Sequence, residues 1–285
     1  MIRSLEDVLV VSDIDNTLVC ADGTVPGVNE ATIELFCELG GKFTLATGRT
    51  VESVRHHLNH IRLSAPAITY GGAVIYDFQH DIRIKNAVLP QESARRALED
   101  ICNAFPGIGV ELMTADGRIY VHQSNEYTHQ HTVQERLIYT MRPLEDIQAR
   151  WNKVMFAADA PTLKRLRDFC AGKHYAGVYF IPTGKYYFDM MPEGVTKGAA
   201  LQELCDYLKL PLENTIVVGD YYNDIEMMQR AGHAVAMGNA PVAVQMAAQD
   251  VTGGCEEGGL AQVLYGLLRR YGAQEQTDEA QMLPV

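Results

Sequence analysis

The chain has 285 residues, 47% of them hydrophobic, enough for one large core or a core with a smaller second domain. Its 36 acidic against 24 basic residues give a formal charge of -12 with no long basic run, which excludes nucleic acid as a main ligand. No apolar run approaches the roughly 20 residues of a membrane helix, no export signal opens the chain, and six cysteines without a Cys-x-x-Cys pair read as reduced thiols, so a cytoplasmic protein with no membrane partner is expected.

The run Val8 to Val11 is apolar and mostly β-branched, which predicts a strand buried on both faces, and it ends directly in Ser12-Asp13-Ile14-Asp15-Asn16-Thr17. A Gly- and Pro-containing turn over 20–27 follows, then a helix capped by Asn29 with Ile33, Leu35, Phe36 and Leu39 on its buried side. Phe43 to Ala46 predicts a second strand running into Thr47-Gly48-Arg49, with a helix behind it. Ala67 to Tyr70 predicts a third, ending at Gly71-Gly72, with Val74 to Tyr76 pairing nearby.

Beyond about residue 83 the rhythm changes. Helices over 89–105, 126–137 and 161–170 alternate with hairpin strands at 109–113 and 118–122, a strand at 152–157, and a second hairpin at 178–181 and 186–190. The doubly wound pattern returns with a helix from Thr196, a strand Thr215 to Val218 ending in Gly219-Asp220-Tyr221-Tyr222-Asn223-Asp224, a helix through Met227 and Met228, a short strand at 234–236 and helices at 242–248 and 260–271. The expectation is an α/β fold: a doubly wound parallel-sheet core over 1–83 and 189–271, an inserted α+β cap over 84–188, and a mobile tail over 272–285.

In an open parallel sheet the carboxyl ends of the strands share one edge, so Asp13/Asp15, Thr47/Gly48 and Asp220/Asn223/Asp224 converge there with Lys197. Two carboxylates as close as Asp13 and Asp15 repel unless a cation lies between them, and a hard divalent ion such as Mg2+ suits oxygen ligands. Taken alone, either acidic cluster is equally an ordinary turn or helix cap. Together, carboxylates, a hydroxyl with a free backbone N–H, and an ammonium form an inventory for holding a metal ion and a phosphoryl group.

Asp13-Ile14-Asp15-Asn16-Thr17, Ala46-Thr47-Gly48-Arg49, Lys197-Gly198 and Gly219-Asp220-Tyr221-Tyr222-Asn223-Asp224 resemble, in order, the four motifs of the haloacid dehalogenase-like phosphatases. The long insert between the second and third motifs is similar to the large α/β (C2-type) cap of the Cof-type branch. The resemblance implies a Mg2+-dependent hydrolase of small phosphorylated metabolites, such as sugar phosphates, that works as monomer or homodimer. Asp13 is then the nucleophile that forms an aspartyl-phosphate, and Asp15 the general acid and base. Thr47, Gly48, Lys197 and Asn223 would bind phosphate, with Asn223 also a candidate for orienting Lys197. Asp13, Asp15 through its carbonyl, Asp220 and Asp224 would hold the metal. Arg49 and Lys185 are candidates for touching substrate.

The chain departs from the family at Gly71, where Asn is usual, which leaves a bracing role to Asn239 or a water. It departs again at Asn16 in place of Gly. A sugar-phosphate mutase using the same aspartyl-phosphate and a non-catalytic phosphometabolite sensor are the alternatives. His56, His57 and His60, and His129 and His131 on a second helix, read as surface residues because no carboxylate partner is placed near them.

Overall fold

A computed structural model describes residues 2–272. In chain order it contains β1 (Leu9–Ser12), α1 (Gly27–Glu38), β2 (Lys42–Leu45), α2 (Val51–His57), β3 (Ala67–Thr69), β4 (Val74–Asp77) and β5 (Ile82–Asn86). Next come α3 (Gln91–Ala104), β6 (Gly109–Thr114), β7 (Ile119–Gln123), α4 (Glu126–Gln134), β8 (Tyr139–Met141), β9 (Trp151–Ala157), α5 (Ala160–Ala171), β10 (Val178–Pro182) and β11 (Tyr187–Pro192). The chain ends with α6 (Lys197–Leu208), β12 (Thr215–Gly219), α7 (Ile225–Arg230), β13 (His233–Ala236), α8 (Val242–Gln245), β14 (Asp250–Val251) and α9 (Gly259–Tyr271).

Five parallel strands form the first sheet in the order β14-β13-β12-β1-β2. Its centre explains the unbroken apolar runs in the sequence. Val10 and Ile14 face Phe36, Leu260 and Leu264, whereas Leu9 and Val11 face Leu201, Leu204, Met227 and Met228. Helices thus cover both faces, and a strand between them has no polar side to show. A three-stranded antiparallel sheet, β3-β4-β5, continues from this core through a bridge between Ala46 and Ile68.

The second large sheet runs β10-β11-β9-β6-β7-β8 and is antiparallel except where α4 carries β7 into parallel β8. Its own apolar cluster, with Leu98, Ile101, Leu112, Trp151, Phe156 and Leu166, packs α3 and α5 against one face. The other face looks toward the strand ends of the first sheet. The α/β class with a parallel core and an added cap sheet therefore holds.

Several local expectations need correction. Pro26, not Asn29, stands at the start of α1, and Asn29 is buried with its Oδ1 accepting from the Ala261 N–H at 3.0 Å, tying α1 to α9. Leu35 and Leu39 are exposed, because Cys37 rather than either leucine turns inward beside Ile33 and Phe36. Strands β5 and β8 lie outside these expectations; each is short and buries none of its residues, so the brief alternation of Ile82 and Ile84 or of Tyr139 and Met141 marks no core-facing side. Strand β11 stays in register with β9 and β10 across residue 189, so the cap sheet runs on to Pro192.

Cys20 and Cys255 are joined in a disulfide, which corrects the reading of six reduced thiols. They lie 235 residues apart in sequence, yet the fold sets the exit of β1 beside the turn before α9, with Cα atoms 5.5 Å apart. Cys37, Cys102, Cys170 and Cys205 are free. No helix among the described residues is long and apolar enough to cross a membrane. Apart from Gly272, the tail expected to be mobile lies outside the described residues.

Candidate active site

The first sheet ends in charge. Past β1 the chain turns at Asn16, whose φ of 60° suits an Asn, and Thr17 Oγ1 donates to Asp220 Oδ1 at 3.2 Å, joining the loops after β1 and β12. Asn239 braces the same loop: its Nδ2 donates to the Asn16 carbonyl at 2.9 Å while its Oδ1 accepts from the Cys255 N–H. Asn239, one of the two candidates for the bracing role left at Gly71, thus holds the loop after β1. Gly72, with φ of 108°, has no room for a side chain, since a Cβ would lie 2.3 Å from the Thr196 carbonyl; the turn after β3 can therefore press against the start of α6.

That contact fixes Lys197, the first residue of α6, behind a Thr196 cap that accepts from the Ala199 N–H. The Lys197 ammonium is buried and donates at 2.7 Å to both Asp13 Oδ1 and Asp224 Oδ1. Asp224 is wholly buried, and its Oδ2 accepts from the N–H groups of Asp220 and Tyr221. Lys197 is oriented by these two carboxylates and not by Asn223, which has no hydrogen bond to it; Asn223 Oδ1 is buried without a partner among the described residues.

Asp13, Asp220 and Asp224 present oxygens within 4.8 Å of one another. Three carboxylates against one ammonium leave two negative charges in excess. Burial raises Asp13 and Asp220 well above the carboxylate range, and the neighbouring carboxylates push further in the same direction while Lys197 opposes them. The donor set is all oxygen and short of positive charge, and Asp13 Oδ2 and Asp220 Oδ2 carry no hydrogen bond among the described residues. This set fits a hard divalent cation, with Asp13 and Asp220 as ligands and Asp224 occupied in holding the ammonium and backbone.

A cleft of about 390 Å³ lies between the two sheets, and Asp13, Asp15, Gly48, Arg49, Lys185, Asp220 and Asn223 all reach it. The Gly48 N–H has no protein partner among the described residues. Thr47 stands buried behind it, its Oγ1 accepting from the Arg49 N–H at 3.1 Å. Lys185 is exposed at the rim, with its ammonium 5.0 Å from the Tyr186 ring centre. Asp15 is half-exposed to the cleft and gripped by the Arg49 fork at 2.6 and 3.1 Å. Burial in the cleft works to raise its carboxyl, but the Arg49 charge and hydrogen bonds outweigh this and hold it below the usual value.

The cap supplies groups that sequence reasoning missed. Lys153 of β9 donates to Asp189 Oδ2 at 2.7 Å and to the Gly48 carbonyl at 3.1 Å, so a buried cap ion pair rests on the second motif. Glu135 is ion-paired with Arg49 at 3.2 Å and accepts from the Ser53 hydroxyl. His131, read as a surface residue, is mostly buried and bonded through Nδ1 to Glu111 Oε2 at 2.9 Å, so the statement that no carboxylate is placed near it is corrected. The available signal was a charge in the middle of each apolar strand, at Glu111, Lys153 and Asp189.

A family profile described as haloacid dehalogenase-like hydrolase matches residues 10–264. The 5-amino-6-(5-phospho-D-ribitylamino)uracil phosphatase YitU of Bacillus subtilis is 26% identical over 262 residues, covering 90% of this chain and 96% of its own. The pyridoxal phosphate phosphatase YbhA of Escherichia coli is 24% identical, with 91% and 98% covered. The solved structure of a haloacid dehalogenase-like hydrolase from Bacteroides thetaiotaomicron superposes with a TM-score of 0.80 at 24% identity, over 91% of this chain and 99% of that one. On a match that spans both sheets, this chain belongs to the haloacid dehalogenase-like hydrolases, in their Cof-type branch.

Proposed function

We infer that the protein is a phosphatase of small phosphorylated metabolites that proceeds through an aspartyl-phosphate on Asp13 and depends on Mg2+. The observation that carries this reading is the meeting of Asp13, Asp220, Asp224 and Lys197 at the foot of the cleft that the Gly48 N–H also reaches. Residues 84–188 act as the cap over core segments 1–83 and 189–271, with β11 the strand that crosses between them.

One Asp13 carboxylate oxygen attacks phosphorus and the ester P–O bond breaks, the leaving oxygen taking a proton from Asp15. Water then attacks the same phosphorus, its proton passing to Asp15, and the P–O bond to Asp13 breaks to release phosphate. The Arg49 fork favours ionised Asp15, the form needed in this second half; the first half requires that fork to open. Lys197 holds Asp13 and offsets charge on the phosphoryl oxygens, while Gly48, Thr47 and Asn223 supply further polar contacts to them. Asp13 and Asp220, with the Asp15 carbonyl and with Asp224 behind them, would hold Mg2+, which would supply charge neutralisation to the phosphoryl group when bound. Arg49 and Lys185 face the rest of the substrate.

Replacing Asp13 by Asn is expected to lower hydrolysis of p-nitrophenyl phosphate by at least about 10³-fold while the circular dichroism spectrum is unchanged. Chelation of divalent ions should abolish wild-type turnover and Mg2+ restore it. Undiminished hydrolysis by the Asn variant refutes the nucleophile; isomerised sugar phosphate in place of free phosphate would favour a mutase.

A further inference from the structure

The cap holds a buried acid and imidazole that phosphoryl transfer does not use. Glu111 stands in the middle of β6 with none of its side chain exposed, its Oε2 bonded to His131 and its Oε1 without any partner among the described residues. A carboxylate buried with one oxygen unmatched costs free energy that an apolar residue at that strand position would not. What it does in return is fix His131: Nδ1 holds a proton toward the carboxylate whether the ring is neutral or charged, and the ring is set edge-on to Tyr187 with centres 5.1 Å apart. This leaves Nε2, which has no protein hydrogen bond among the described residues, on a ring that lines the same cleft as Asp13 and Asp15. The ring lies near enough to Asp15 for its charge to bear on that carboxyl.

Gln130 and Gln134 flank His131 on α4 and reach the cleft with it. An amide both donates and accepts, as a hydroxyl does. Glu111 balances the His131 charge, and Glu135 beside it is paired with Arg49, so the α4 side of the cleft carries no surplus positive charge for a second anion, and the one cap ammonium without a carboxylate partner among the residues lining the cleft, that of Lys185, stands exposed at the rim. Its hydrogen-bonding capacity suits neutral hydroxyl groups.

We propose that His131, oriented by Glu111, is a specificity-determining residue whose Nε2 hydrogen-bonds a hydroxyl of the leaving group, so that the cleft selects phosphate esters of polyhydroxylated alcohols over aryl phosphates. His131 is the selecting group and Glu111 the positioning one. The proposal rests on the phosphatase reading above, and its test separates the two.

The full-length protein is assayed with a hexose 6-phosphate, a pentitol 5-phosphate and p-nitrophenyl phosphate. In His131→Ala, the ratio of kcat/KM for the hydroxylated esters to that for the aryl ester falls by roughly 10- to 100-fold, the range expected for loss of a hydrogen bond to a charged donor. His131→Gln keeps a donor and recovers part of the ratio. Glu111→Gln raises KM for the hydroxylated esters with kcat held, a split that general loosening of the cap does not give. An unchanged ratio in a His131→Ala protein that still turns over the aryl ester overturns the role of His131 alone. Absence of turnover of every ester by the wild type overturns the phosphatase reading and this proposal with it.

Discussion

The two walls of the cleft solve opposite electrostatic problems. The core wall gathers Asp13, Asp220 and Asp224 around the single ammonium of Lys197 and is left over-anionic, whereas the cap wall matches its buried charges one to one, Glu111 with His131 and Asp189 with Lys153. Arg49 spans the two, between Asp15 and Glu135. The excess negative charge of the core wall fits the cation and phosphoryl group proposed for it, and the balanced cap wall fits the neutral part of a substrate without competing for either.

This contrast can be broken first at Lys197. Lys197→Met leaves three buried carboxylates without their counter-charge, and the expected result is loss of phosphatase turnover together with destabilisation of about 3–5 kcal/mol in urea unfolding. The cap pair should respond differently. Lys153→Met alone strands the buried Asp189 carboxylate and destabilises by a similar amount, but Lys153→Met with Asp189→Leu should recover most of that loss, because a balanced pair is replaceable by apolar packing. If the double variant is no more stable than the single one, the cap pair is not the self-contained unit described.

The smallest effect sharpens the comparison through pH. Burial works to lower the His131 pKa, but Glu111 and Glu135 outweigh it against Lys153, and the folded value lies above 6.5. Its contribution to stability is therefore fully present below about pH 6.5 and is lost as pH rises through the elevated folded value. The stability gap between wild type and His131→Gln should be widest in mild acid and narrow in alkali. A gap that widens with pH would contradict the pairing.

The same contrast explains what the sequence could disclose. Asp13, Gly48, Lys197 and Asp220 stand where apolar strands stop or helices start, and a parallel sheet sends all such ends to one edge, so their meeting follows from local pattern alone. Glu111, Lys153 and Asp189 lie inside strands. Each is visible as a charge in an apolar run, but its partner depends on strand order. Only because β9 lies between β6 and β11, with Met155 opposite both Glu111 and Asp189, does Lys153 come diagonal to Asp189. His131 was misread for the same reason, since nothing in the turns of α4 says which strand passes beneath. The disulfide was missed because chain separation carries no distance.

That disulfide has a topological consequence. It closes a covalent ring from Cys20 to Cys255, and the whole insertion that roofs the cleft lies within the loop so formed. A single protease cut in the insertion would therefore leave one linked species on a non-reducing gel and two fragments once thiol is added. The bond thus ties together the two stretches of the parallel-sheet core that flank the insertion, which stay covalently joined even when the chain between them is cut.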